Sequence, residues 1–236
     1  MNDHKKRAVI MDNAKVTNPV FGAATLGKKL ILPQTAEAAN VDVPDSNCER
    51  NKKGGRKILV AYASEFGTTG EVAKAIGKVL CQEGNTVETK WVKHVKDMQN
   101  YNAFIVGSAI QYDRWMPEAT EFIIANQNIL SKRPVAFFFT CLVLSKQSEK
   151  AAHKAKTYSD KLYSLVPHVK PVSVGRFAGV LDYSKMSFFF RLIARGIFVI
   201  VRVQEGDYRD WDAIRSWTKG VHLKLSSKPA YPSGNL

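Results

Sequence analysis

The sequence predicts an α/β fold: a doubly wound, five-stranded parallel sheet of order 2-1-3-4-5, with an insertion near the fifth strand and an irregular amino-terminal extension. Two observations carry this expectation. Short β-branched and aromatic runs alternate with segments of helical periodicity between residues 57 and 221, and parallel neighbours need such crossover connections. A turn rich in Ser, Thr and Gly stands between the first run and the first helix, where an open α/β sheet places its ligand.

KILVAYAS (57–64) reads as the first strand. TTGEVAKAIGKVLCQEG (68–84) spaces Val72, Ala75, Ile76, Val79 and Leu80 as one helical face, and Gly84-Asn85 ends it. TVETKWV (86–92) alternates as a second strand, and YNAFIVGSAI (101–110) is the continuous apolar run of a strand covered on both faces. Pro117 opens a helix over PEATEFIIANQNIL (117–130). RPVAFFFTCLVL (133–144) is a fourth strand, and SEKAAHKAKTYSDKLYSLV (148–166) a helix whose lysines form a solvated face. VKPVSVGRFAGVL (169–181) supplies the fifth strand and DWDAIRSWTKGV (210–221) the last helix. The folded domain therefore spans 57–221, with 181–209 as an insertion and 222–236 as a frayed tail. Residues 1–56 lack sustained periodicity and end in the basic linker DSNCERNKKGGRK, so they read as a largely irregular extension.

Lys and Arg number 35 against 21 Asp and Glu, a formal charge of +14, which suits an anionic surface or small molecule. No nucleic-acid motif accompanies the charge, and no nucleic-acid partner is expected. Cys48, Cys81 and Cys141 are widely spaced, with no CxxC pair and no His at metal-ligand spacing; neither a disulfide nor a metal site is expected, which fits a reducing compartment. No run of about 18 uncharged apolar residues exists, Met186 to Val203 coming nearest. Lys5, Lys6 and Arg7 precede weakly apolar stretches and Ala36-Glu37-Ala38 resembles a cleavage site, but Lys28 and Lys29 interrupt the pattern. The expectation is a cytoplasmic protein rather than an exported one.

The turn Ser64-Glu65-Phe66-Gly67-Thr68-Thr69 leads directly into a helix, so unsatisfied backbone N–H groups and the helix dipole would face an anion there, with Ser and Thr hydroxyls as further donors. Gly67 permits a tight turn. Neither GxGxxG nor GxxxxGK[ST] is present, which argues against a dinucleotide or a nucleoside triphosphate. No nucleophile, base and orienting acid can be assembled from spacing, and a cofactor enzyme does not need them.

AYASEFGTTGEVAKAIG resembles the FMN phosphate loop of flavodoxins, and GSAIQYDRWMPEA resembles the loop that holds one side of the flavin. Within the flavodoxin-like proteins, FTCLVLSK, FAGVLDYSKMSFFFRLIAR and EGDYRDWDAI are similar to the menaquinone-dependent protoporphyrinogen oxidases and their flavodoxin-domain relatives. The resemblance implies non-covalent FMN. Ser64, Glu65, Phe66, Gly67, Thr68 and Thr69 would surround its phosphate, and Ser108, Ala109, Ile110, Gln111 and Tyr112 would line the ring. Tyr112 or Trp115 would stack on the isoalloxazine, while Thr140, Cys141 and Leu142 would approach its pyrimidine edge. Electron-carrier flavodoxins usually place a glycine and an acidic residue in that third loop, and this chain has neither. With Arg114 nearby, the departure points to two-electron chemistry.

The resemblance further implies a quinone acceptor and a reduced small-molecule donor such as a porphyrinogen. A non-enzymatic electron-transfer protein serving a reductase partner is the alternative, and a fold that has lost FMN a third. In the insertion, Arg191, Arg195 and Arg202 fall within roughly 40° of one another on a helical wheel, while Phe188, Phe189, Phe190, Ile193, Phe198, Val199 and Ile200 occupy the remainder. Such a segment either lies in a membrane interface with its arginines reaching phosphates, giving peripheral membrane contact, or packs its apolar side on the domain, and its β-branched FVIVRV also reads as a strand.

Overall fold

The computed structural model describes residues 45–49, 55–185, 191–192 and 203–227, all within the compact unit Glu37–Leu236. Its main sheet contains strands β1 (Ser46–Cys48), β2 (Lys57–Ala63), β3 (Thr86–Trp91), β4 (Ala103–Gln111), β6 (Val135–Cys141) and β7 (Val174–Ala178), in the order β1-β3-β2-β4-β6-β7. The short β5 (Arg114–Trp115) folds back antiparallel on β4. The pairs β2·β3, β2·β4, β4·β6 and β6·β7 are parallel. Without β1 this is the doubly wound 2-1-3-4-5 order expected for a flavodoxin-like fold.

Strand alternation explains the two cores. Leu59, Ala61, Phe104, Val106, Phe137 and Phe139 point to one face, where they meet helices α2 (Pro117–Ala125), α3 (Gln127–Lys132) and α4 (Glu149–Leu165). Ile58, Val60, Ala103, Ile105, Ala136 and Phe138 point to the other, covered by α1 (Thr68–Gln82) and α5 (Trp211–Ser227). Phe137, Phe138 and Phe139 are fully buried, and each such side chain stabilises by about 2–3 kcal/mol. Gly107 lies opposite Phe138, whose ring fills the space any Cβ would need.

Several boundaries differ from the sequence reading, each for a local reason. The fourth strand stops at Cys141, because Leu142–Ser145 tighten into a 3₁₀ turn. The fifth begins only at Val174, beyond Pro171, which lacks a donor for a ladder. Beyond it, β8 (Val180–Leu181) leaves the sheet to pair with β9 (Gly206–Asp207) in a separate ribbon. Asn126, outside helical geometry, divides 117–130 into two helices. The last helix continues to Ser227 with Leu225 buried, so 222–227 is packed helix rather than tail.

Two expectations for the extension are corrected. Residues 46–48 form a strand antiparallel to β3, and Cys48 is disulfide-bonded to Cys81 of α1, with Cα atoms 6.2 Å apart. Wide spacing in sequence concealed a pairing that the sheet edge brings together. Arg195 and Arg202 lie outside the described residues, whereas Arg191 Nη2 donates to the Ser184 carbonyl at 3.4 Å. Among the described residues no helix is long and apolar enough to cross a membrane.

Candidate flavin site

Three loops meet at the carboxyl ends of β2, β4 and β6. The first enters α1 through Gly67, whose φ of 77° belongs to the left-handed region that glycine adopts without strain. Helix geometry leaves the amides of Gly67 to Gly70 without intrahelical acceptors. Among the described residues only Thr69 of these finds another one, the Ser64 hydroxyl at 3.3 Å. Glu71 N donates to Gly67 O at 3.1 Å and begins the regular ladder. The first turn of α1 thus keeps backbone donors without helical acceptors next to the Thr68 side chain, a disposition suited to an anion.

The loops are tied together. The hydroxyls of buried Thr69 and Thr140 are 2.8 Å apart, linking the first loop to β6. Gln111 Nε2 at the end of β4 donates to Glu65 Oε2. Gly179 N donates to the Cys141 carbonyl at 3.1 Å, holding the third loop against the start of the β8 ribbon.

The second loop turns through Tyr112 and Asp113, both at positive φ (48° and 59°). Asp113 anchors the turn by accepting from Lys154 Nζ at 2.9 Å and Tyr158 Oη at 2.7 Å. Burial opposes its ionisation, but these two hydrogen bonds prevail and hold its carboxyl below the ordinary value. Tyr112 is left 70% exposed beside the first loop's Glu65. Trp115 is only 4% exposed and packs edge-on against Phe137 and Phe139, with centroids 5.9 and 6.0 Å away. Of the two aromatic candidates, Tyr112 alone offers a face to a ligand.

The remaining sequence candidates divide by what they touch. Ser108 is fully buried; its Oγ donates to Ala109 O at 2.7 Å and accepts from Met116 N at 3.0 Å, so it supports the second loop from beneath. Ala109 and Ile110 are half-buried and pack against the core, while Leu142 is half-buried at the third loop. Phe66 is half-buried within the first loop. Burial pushes the Cys141 thiol up to about 11, keeping it protonated at neutral pH. Burial, and then the nearby Glu118, raise the Glu65 carboxyl above its usual range.

One group lay beyond sequence reasoning. Arg209 Nη1 reaches across 141 positions to the Thr68 carbonyl at 3.2 Å and across 138 to Glu71 Oε2 at 2.7 Å. Burial alone would raise the Glu71 carboxyl, but Arg209 and Lys185 outweigh it and hold the group below its usual value. The adjacent Trp211, whose ring lies 4.5 Å from the guanidinium, was the only local signal. Among the described residues no cluster of His, Cys, Asp or Glu could hold a metal.

The chain is 25% identical over 189 residues to a protoporphyrinogen IX dehydrogenase [quinone] of Leishmania major, covering 76% of this chain and 80% of that protein. Among solved structures it resembles rubredoxin:oxygen oxidoreductase from Desulfovibrio gigas, with 13% identity and a TM-score of 0.45; 72% of this chain matches 36% of that longer one. It also resembles a Fusobacterium nucleatum flavodoxin mutant bound to flavin mononucleotide, with 18% identity, a TM-score of 0.35 and coverage of 52% and 69% respectively. The model of the flavodoxin domain matches residues 59–208, and the chain belongs to that family.

Proposed function

We propose that the protein is an FMN-dependent oxidoreductase that takes electrons from a reduced donor and delivers them to a quinone. The family and the relative support a flavin-type redox role, and the finer reading rests on one observation: the first loop leaves the amides of Gly67, Thr68 and Gly70, at the head of α1, without intrahelical acceptors. These amides, with the hydroxyls of Ser64 and Thr68, would hold the FMN phosphate. Tyr112 would cover the ring, and Gln111 with Thr140, Cys141 and Leu142 would border it.

When bound, FMN supplies two-electron transfer between donor and acceptor. The chain's own contribution is position and charge. The protonated Cys141 and the buried Thr69–Thr140 pair keep one border free of negative charge, and exposed Arg114 adds positive charge beside Tyr112. Glu65, whose carboxyl is raised by burial and by Glu118, joins the first loop to the second by accepting from Gln111 Nε2. The overall charge of +14 suits the carboxylates of a porphyrinogen donor, and the positive charge of Arg191, Arg195 and Arg202 in the insertion suits peripheral contact with the membrane in which a quinone dissolves.

The test is direct. Protein reconstituted with FMN should oxidise protoporphyrinogen in the presence of a menaquinone analogue, and bind vesicles containing anionic lipid more than neutral ones. Flavin binding without turnover, together with rapid electron exchange with a reductase, would instead assign the chain to electron transfer between proteins. A purified protein that took up no FMN would remove both readings.

A further inference from the structure

Both ends of the 181–209 insertion bring a cation to the same carboxylate. Lys185 Nζ lies 3.3 Å from Glu71 Oε1, and Arg209 Nη1 lies 2.7 Å from Glu71 Oε2. The β8·β9 ribbon holds these ends together, and Glu205 closes its base by accepting from Tyr183 N at 2.9 Å. Arg209 is fixed on every side. Its Nε and Nη2 donate to Asp207 at 2.9 and 2.7 Å, its guanidinium stacks over Trp211, and its side chain is 8% exposed.

Glu71 stands in the first turn of α1. A carboxylate there is favoured by the helix dipole, yet it competes with any phosphate held at the same helix mouth. Glu71 and Asp207 set against Arg209 and Lys185 give a cluster with no net charge. The second function of Arg209 is mechanical. It grips the carbonyl of Thr68, which shares a peptide plane with the N–H of Thr69 inside the phosphate loop.

We propose that Arg209 is a positioning residue for the phosphate of the bound flavin nucleotide, acting by neutralising Glu71 and by fixing the Thr68–Thr69 peptide plane. The inference rests on the reading that the loop 64–69 receives a phosphate, and it assigns to the insertion's two ends a part in cofactor selection. A phosphate-bearing flavin is then distinguished from its dephosphorylated form by a residue that does not touch it.

FMN and riboflavin differ only in the phosphate, so titrating both into the purified protein and following flavin fluorescence separates the effects. Wild type should bind FMN more tightly than riboflavin. Arg209→Gln should weaken FMN about tenfold and leave riboflavin unchanged. Arg209→Lys should recover part of the loss, and Glu71→Gln added to Arg209→Gln should recover more. Equal weakening of both flavins in Arg209→Gln would overturn the proposal and make Arg209 a scaffold residue. Glu71→Gln alone retains Arg209 and keeps the proposal open to refutation should Arg209→Gln not fold: FMN affinity should hold or rise, and a fall confined to FMN would overturn it. Wild type that did not discriminate between the two flavins would refute the phosphate loop itself, a result distinct from a discriminating wild type with an indifferent Arg209→Gln.

Discussion

The two ends of α1 are held by different means. At its carboxyl end the backbone is closed: Glu83 and Gly84 donate to Val79 and Cys81 carbonyls, and Asn85 places both its backbone and side-chain N–H groups on Leu80 O. The Asn85 amide also meets His222 of α5, and the Cys48–Cys81 disulfide fastens the edge strand beside it. At its amino end a cluster of charged side chains holds the helix from outside while the amides of Gly67, Thr68 and Gly70 keep no helical acceptor. The closed end serves stability and the open end is the one proposed to receive a ligand, so substitutions at the two should separate in what they change.

The largest effect belongs to the closed end. The disulfide spans 33 residues, and removing a crosslink of that span costs about 3–4 kcal/mol in the chain-entropy account. Urea unfolding of Cys48→Ser, or of wild type in dithiothreitol, should show that loss, with the FMN-to-riboflavin preference unaltered. A shift in preference would break the distinction between the two ends.

At the open end, Gly67→Ala forces an L side chain into a left-handed conformation, which costs about 1–2 kcal/mol. Because the strain falls in the loop itself, FMN affinity should drop roughly tenfold while riboflavin affinity changes much less, as measured by the same titration.

These contrasts also show how far the sequence could be read. Near-continuous apolar runs in 57–63, 103–111 and 135–141 disclose strands covered on both faces, because successive residues there answer to two cores. The Ser/Thr/Gly turn places the first loop by strand-then-helix order alone. The edge strand Ser46–Cys48 carries no such signal: three residues cannot show a period, and their partner is β3. Ser108 looks like a ligand donor in sequence, yet it is turned inward because the β4–β5 hairpin needs an internal acceptor. Arg209 and Glu71 meet only because the sheet brings the chain's end back to α1, and local pattern cannot report such closure.

A second carboxylate held by two cations sharpens the comparison. Glu88 on β3 is bonded by Lys57 at 2.8 Å, Lys90 at 2.6 Å and Tyr101 Oη at 2.7 Å, away from the loops. Burial opposes ionisation there too, but hydrogen bonds from Lys57, Lys90 and Tyr101 lower the carboxyl to about 2. A depressed carboxylate contributes stability above its unfolded value, and that contribution disappears as pH falls through its folded value. Glu88→Gln should therefore cost about 1 kcal/mol at pH 7, after allowance for solvent screening of the lysines. The difference from wild type should fade between about pH 4.5 and 2. Unlike Arg209→Gln, this change should leave flavin discrimination intact, since the charge released lies on another element.

The smallest effect tests the join between the first and third loops. Thr140→Val keeps the shape of a 5% exposed side chain but removes its hydroxyl, leaving buried Thr69 Oγ1 without its 2.8 Å partner. A lost hydroxyl pair of this kind costs about 1 kcal/mol or less when the remaining group can turn toward the cleft. Because Thr140 borders the region proposed for the ring and Thr69 stands in the first turn of α1, beside the region proposed for the phosphate, the loosened join should act on both parts of the nucleotide. FMN and riboflavin should therefore weaken together, by about twofold to threefold. A loss confined to FMN would mean that the hydroxyl pair shapes the phosphate loop alone, and the open end of α1 would then reach as far as β6.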